Sequence, residues 1–177
     1  MPSGKTHDAI TFLLAAPAFA ATYAVTRNLP ASMVVAAAFI FGGLMFGPDL
    51  DTVSRQYSRW SVFRTIWLPY RAIFKHRSRF SHGLIFGALL RVVYFKAVLV
   101  AIIFGAAFLW MWMSGGHLPG LADLERSWQS VGSFSRSVFG DYFLLLTFVG
   151  LWLGAASHTF TDMAGSFIKT GRVIEFL

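Results

Sequence analysis

ASMVVAAAFIFGGLMFGPDLD, residues Ala31–Asp51, carries the reading of the whole chain. Its first part, Ala31 to Phe46, is a continuous apolar run. That is close to the helix length needed to cross the hydrocarbon of a bilayer, about 17–25 residues. Gly47-Pro48 then ends the helix, because the residue before a proline avoids helical geometry. Two carboxylates follow at once, Asp49 and Asp51, on a turn rather than on a helix side. Two close anions repel each other, and a cation removes that cost. The stretch predicts a membrane helix that ends in an anionic turn suited to a metal.

The same design recurs along the chain. Ile10 to Val25, Gly83 to Met113 and Tyr142 to Ser157 are also apolar runs, and Arg27-Asn28-Leu29-Pro30 breaks the first from the second. Of the 177 residues, 56% are hydrophobic and only 13% charged, about half the charge of a soluble domain. Aromatics make up 17%, with six Trp, which suits residues at membrane–water interfaces. The expected fold is all-α: a polytopic membrane protein of four transmembrane helices in two hairpins, forming one membrane-embedded domain over residues 1–177. Ala18-Phe19-Ala20 has the form of a signal-peptidase site. Lys5 stands nearly alone before it, and His7 and Asp8 dilute the positive leader, so the first helix is expected to be retained.

Charge sets the expected orientation. The stretch 48–82 holds seven basic residues: Arg55, Arg59, Arg64, Arg71, Lys75, Arg77 and Arg79. The stretch 114–141 holds two, Arg126 and Arg136. By the positive-inside rule, 48–82 is a cytoplasmic basic loop, 114–141 is an external loop with a short helix, and both termini are cytoplasmic. The expected location is multi-pass in a bacterial inner (plasma) membrane or another internal membrane. A net charge of +7 in so apolar a chain points to anionic lipid headgroups along 55–79, and no nucleic-acid partner is expected.

Within that loop Tyr57, Trp60, Phe63, Trp67, Tyr70 and Phe74 recur every three or four residues, with arginines between them. The spacing predicts an amphipathic helix, interrupted near Pro69, lying in the headgroup layer. A helix packed on the protein's own core is the alternative.

Each apolar run ends in a His/Asp cluster, and the orientation just derived puts all of them at one level. His158 and Asp162 are four apart, so on a helix both side chains share a face. Asp49 and Asp51 occupy the turn. His76 and His82 bracket Arg77 and Arg79, where neutral, metal-bound imidazole fits better than protonated histidine. His7 and Asp8 open the first helix, with Thr6 or Asp8 as its cap, and Ser81 is expected to cap the third. Taken singly, His158 with Asp162 also suits a helix-end hydrogen-bond pair, and either aspartate suits a turn. Together His7, Asp49, Asp51, His76, His82, His158 and Asp162 supply ligands for a centre of two or three divalent metals. Zinc suits them best, with manganese or iron as alternatives. Thiolate ligation is excluded, since the chain has no cysteine. His117 lies in the opposite loop and is left out. The third run, about 45 Å long as a helix, exceeds the bilayer core and carries Arg91 and Lys96, which pair with the site's carboxylates or reach for the interface.

Gly47-Pro48-Asp49-Leu50-Asp51, His76-Arg77-x-x-x-Ser81-His82 and His158-x-x-x-Asp162, after an N-terminal His7, resemble the bacterial YdjM-type membrane-bound, metal-dependent hydrolases. The opening Met1 to Asp8 and the stretch Tyr57 to His82 look closer still to a metal-binding relative known from cyanobacteria and other bacteria. The chain departs from the first family at Thr52, where a further His or polar ligand is common. A more distant similarity, in the order of its His and Asp residues alone, is to zinc-dependent phospholipase C.

The function expected is metal-dependent hydrolysis of a phosphoester, of phospholipid type, at the cytoplasmic face. In it Asp8 acts as base toward water, and Arg77 and Arg79 neutralise developing charge. The alternative is a metal-binding membrane protein without catalysis, an assembly factor or small subunit, with its ligand positions closed. No ionisable residue sits in the middle of the first, second or fourth run, which argues against a conduction path.

Overall fold

The computed structural model describes residues 2–76, 78–116 and 120–172. Its elements are helical, and no strand occurs among the described residues. Helix α1, Gly4–Thr26, starts at Ser3, whose side chain accepts from the Thr6 amide, so the cap lies earlier than Thr6 or Asp8. Helix α2, Leu29–Leu44, starts at Asn28, whose side chain accepts from the Ala31 amide. The 3-10 turn Pro48–Asp51 follows. Three short pieces come next: α3, Arg55–Ser58, the 3-10 helix Ser61–Trp67, and α4, Leu68–Ile73. Helix α5 is Arg79–His82, and α6 is the long Phe86–Ser114. Ser81 sits inside α5, and Ile85 holds the cap position of α6. Helix α7, Leu121–Phe139, is the helix expected within 114–141, at 19 residues longer than expected. Helix α8, Phe143–Thr170, runs well beyond Ser157.

Three helices, α1, α6 and α8, are long and apolar enough to cross a membrane; α2 is apolar but has only 16 residues. Helix α2 packs against α1 on one side and α8 on the other. Small residues set that closeness. A Cβ on Gly154 would stand 2.1 Å from the Phe39 carbonyl oxygen, so only glycine lets the α2 and α8 backbones meet there. Helix α6 buries Gly87, Ala88 and Arg91 near its start. From Leu99 to Met113 its large apolar side chains, Met111 apart, stay exposed.

The aromatic segment differs from the amphipathic helix that its spacing predicts. It is broken into short pieces, and Tyr57, Trp67 and Tyr70 are buried in a cluster with Phe46 and Leu50. Trp67 stacks on Phe95 of α6 at 5.8 Å and meets Phe46 edge-on at 5.5 Å. Phe63 alone of the six is strongly exposed. Rings spaced three to four apart bury one stripe, and here α6 and the end of α2 cover most of it. Arg59 Nη1 donates to the Leu44 carbonyl at 2.8 Å and Trp60 Nε1 to that of Met45 at 2.8 Å. These donors satisfy carbonyls that the end of α2 leaves without helical partners. The segment is thereby fastened under α2, with the aspartate turn between them.

Candidate metal centre

Four distant stretches of chain meet at one point. The first turn of α1 brings His7, the turn after α2 brings Asp49 and Asp51, the segment up to α5 brings His76 and His82, and α8 brings His158 and Asp162. The i,i+4 spacing on α8 places His158 and Asp162 on one buried face, as helical periodicity requires.

The donors form two groups. His7, His158 and Asp162 are one, all buried; Asp49, His76 and His82 are the other. In the first, His7 Nε2 lies 3.2 Å from Asp162 Oδ1, and His158 Nε2 lies 3.7 Å from Asp162 Oδ2. The His7 and His158 rings stack with centroids 3.8 Å apart. Asp49 joins the groups: its Oδ1 is 3.4 Å from His82 Nε2 and its Oδ2 is 3.4 Å from His158 Nε2. Several of these separations are long for a hydrogen bond. They match the edge of a coordination sphere, since ligands bonded to zinc at about 2.0–2.1 Å sit about 3.3 Å from each other. His158 Nε2 is buried, with the Asp49 and Asp162 oxygens at 3.4 and 3.7 Å as its neighbours, contacts too long to satisfy a buried polar atom fully. The residues present fit a divalent cation in number, chemistry and spacing.

Burial by itself would push the Asp49 carboxyl up. Hydrogen bonding and charge from His158 and His82 outweigh it and hold the group well below the ordinary carboxylate range. Asp49 is therefore an anion facing two imidazole nitrogens.

Asp51 is turned elsewhere. Its Oδ1 is 2.8 Å from His76 Nδ1 and its Oδ2 is 3.5 Å from His82 Nδ1, behind the nitrogens that face the centre. That is the place of a carboxylate that orients ligating histidines. Ser81 Oγ lies 3.0 Å from the same His82 Nδ1, and Arg91 Nη1 donates to the Ser81 carbonyl at 2.6 Å. Arg91 thus braces the His82 turn from within α6.

Gln56 is a site residue that the sequence does not single out. Its Nε2 donates to the Gly43 carbonyl at 2.8 Å and to His158 Nδ1 at 3.1 Å, and its Oε1 accepts from the Asp49 amide at 3.1 Å. One buried amide so fixes two donors of the centre. With Nδ1 accepting, the neutral His158 ring carries its proton on Nε2. A divalent cation at Nε2 would require the Nδ1–H tautomer, and Gln56 would then have to turn Oε1 to Nδ1 at the cost of its present bonds to the Gly43 carbonyl and the Asp49 amide.

Asp8, expected as a base, gives its Oδ2 to two arginines, Arg55 Nη1 at 3.0 Å and Arg59 Nη2 at 2.6 Å. All three line a pocket of about 260 Å³ with His7, Asp49, His76, His158 and Asp162. Among the described residues, the cations lining this pocket are Arg55 and Arg59. Arg77 and His117 lie outside the described residues, as does the Arg79 side chain.

A profile of the family described as "Uncharacterized metal-binding protein (DUF2227)" matches residues 2–172. No curated protein and no solved structure matches the chain.

Proposed function

The chain belongs to this metal-binding family (DUF2227), and from that premise we propose that it is a membrane-embedded, metal-dependent phosphoester hydrolase with a dinuclear centre. The observation that carries the reading is the Asp49 carboxylate, which turns one oxygen to each of two histidine groups. His7, His158 and Asp162 would hold one cation and His76 and His82 the other, with Asp49 beside both groups. Zinc suits this donor set best, with manganese or iron as alternatives. Divalent cations held there act as Lewis acids on a phosphoryl oxygen and lower the pKa of water. The protein's own groups do the rest. Asp8 aims Arg55 and Arg59 across the pocket, where guanidinium N–H groups pair with phosphate oxygens. Asp51 and Gln56 hold the imidazoles in position. His76 keeps 42% of its side chain exposed beside the pocket, so the centre is open to a ligand rather than closed as a structural site is.

We place four segments in the membrane, α1, α2, α6 and α8, with both termini and the basic segment on the cytoplasmic side. Arg64, Arg71 and Lys75 then meet anionic headgroups. Elemental analysis of purified protein tests the reading: two divalent ions per chain, with phosphodiesterase activity lost to chelator and restored by zinc or manganese. Two ions without hydrolysis of any phosphodiester would support the non-catalytic alternative. Absence of metal overturns both.

A further inference from the structure

Beside the metal pocket lies a larger and different cavity. It measures about 560 Å³ against about 260 Å³ and runs between α1 and α8, with Phe39 of α2 as its floor. Ile10 and Leu14 form one wall, and Phe160, Ala164 and Ile168 the other. Its size falls in the usual range for ligand sites, about 300–1,000 Å³.

Two features tie it to the metal pocket. Pro2 lines both cavities. It packs so closely on α8 that a Cβ on Gly165 would stand 2.5 Å from its Cγ. In addition, the groove residues Thr6, Ser157 and Thr161 immediately precede the centre's His7, His158 and Asp162. Groove and centre are two faces of one helix pair. The chemistry of the faces is opposite. Ser157 Oγ donates to the Gly154 carbonyl and Thr161 Oγ1 to that of Ser157, so these hydroxyls are already engaged within α8. An apolar chain suits that wall, while Arg55 and Arg59 on the other side suit an anion. Phe160 and Ile168 are exposed, which opens the groove sideways to the bilayer.

We propose that the site takes a phosphate-bearing lipid, with one acyl chain in the α1/α8 groove and its phosphoryl group entering the metal pocket past Pro2. This rests on the metal-centre reading above.

The test uses the full chain in lipid nanodiscs with its metal content measured. Labelled inorganic phosphate is displaced by methyl phosphate or by tetradecyl phosphate. Wild type should favour tetradecyl over methyl phosphate by at least about tenfold more than Ala164→Trp does, since burying each methylene contributes about 0.8 kcal/mol. Partition into the bilayer is common to both proteins and cancels in the comparison. Methyl phosphate binding and metal content should be unchanged in the variant. Leu14→Trp, on the facing wall, repeats the measurement without altering α8. Metal and phosphate binding with equal chain preference in wild type and both variants overturns the lipid assignment alone. A protein without metal overturns the centre and this assignment with it.

Discussion

Asp49 Oδ2 stands 3.4 Å from His158 Nε2, which ties the turn after α2 to the middle of α8. The other oxygen of the same carboxylate faces His82 Nε2 at 3.4 Å. One carboxylate therefore touches both donor groups. Asp49→Asn should lower bound metal from two ions per chain to one or none, with the helical circular dichroism unchanged. Loss of a single ion by Asp162→Asn would fit the same division, because Asp162 belongs to one group only. Two ions retained by Asp49→Asn would refute the bridge.

Gln56 touches His158 Nδ1, the Asp49 amide and the Gly43 carbonyl at once. Gln56→Leu keeps the bulk and removes every one of those bonds. Metal affinity should fall about 10–100-fold, the usual cost of losing an outer partner of a ligating histidine. Gln56→Glu should restore only part of it, because a carboxylate accepts from the Asp49 amide and from an Nδ1–H but cannot donate to the Gly43 carbonyl. Equal metal affinities in wild type and Gln56→Leu, by titration against a competing chelator, would remove Gln56 from the centre.

Each of the seven residues that the sequence nominates belongs to a local pattern, and the fold brings their stretches together. Gly47-Pro48 announces a helix end, and His158 with Asp162 announces a helix face. The two aspartates of the turn read alike, yet only tertiary contacts turn Asp49 toward the centre and Asp51 toward the back of His76. Gln56 carries no local signal: it lies in a four-residue helix that Ser54 starts by accepting from the Tyr57 amide. The aromatic stripe gave its period correctly but not its partner. A ring facing lipid headgroups and a ring facing α6 look the same in sequence. The length of α7 was obscured by its serines and by Gly132, which are weak helix formers.

Trp67 and Phe63 separate those two surroundings. Trp67 is 0% exposed and Phe63 67% exposed. Trp67→Ala should cost about 3–5 kcal/mol, as deletion of a large buried ring does. Phe63→Ala should leave the thermal midpoint within the scatter of surface substitutions, about 0.5 kcal/mol. Thermal unfolding of both variants in the same detergent decides the point. Similar losses would mean that the segment does not pack on α6 as described.

Arg91 is a basic residue that an apolar helix would ordinarily exclude, and its place explains why it is there. It is 2% exposed, and its Nη1 donates to the Ser81 carbonyl at 2.6 Å, next to the Ser81 Oγ that reaches His82 Nδ1. Arg91→Leu removes a brace of the second donor group without touching any residue of the first. It should lower stability by about 1–3 kcal/mol, the range for leaving a buried carbonyl without its donor. It should also reduce metal from two ions to one, leaving the ion held by His7, His158 and Asp162. Arg91→Lys keeps the charge but lacks the planar fork, so it should recover stability only in part. The two readouts are independent: lower stability with both ions retained makes Arg91 a packing residue alone, whereas loss of one ion in both variants ties it to the His82 side of the centre.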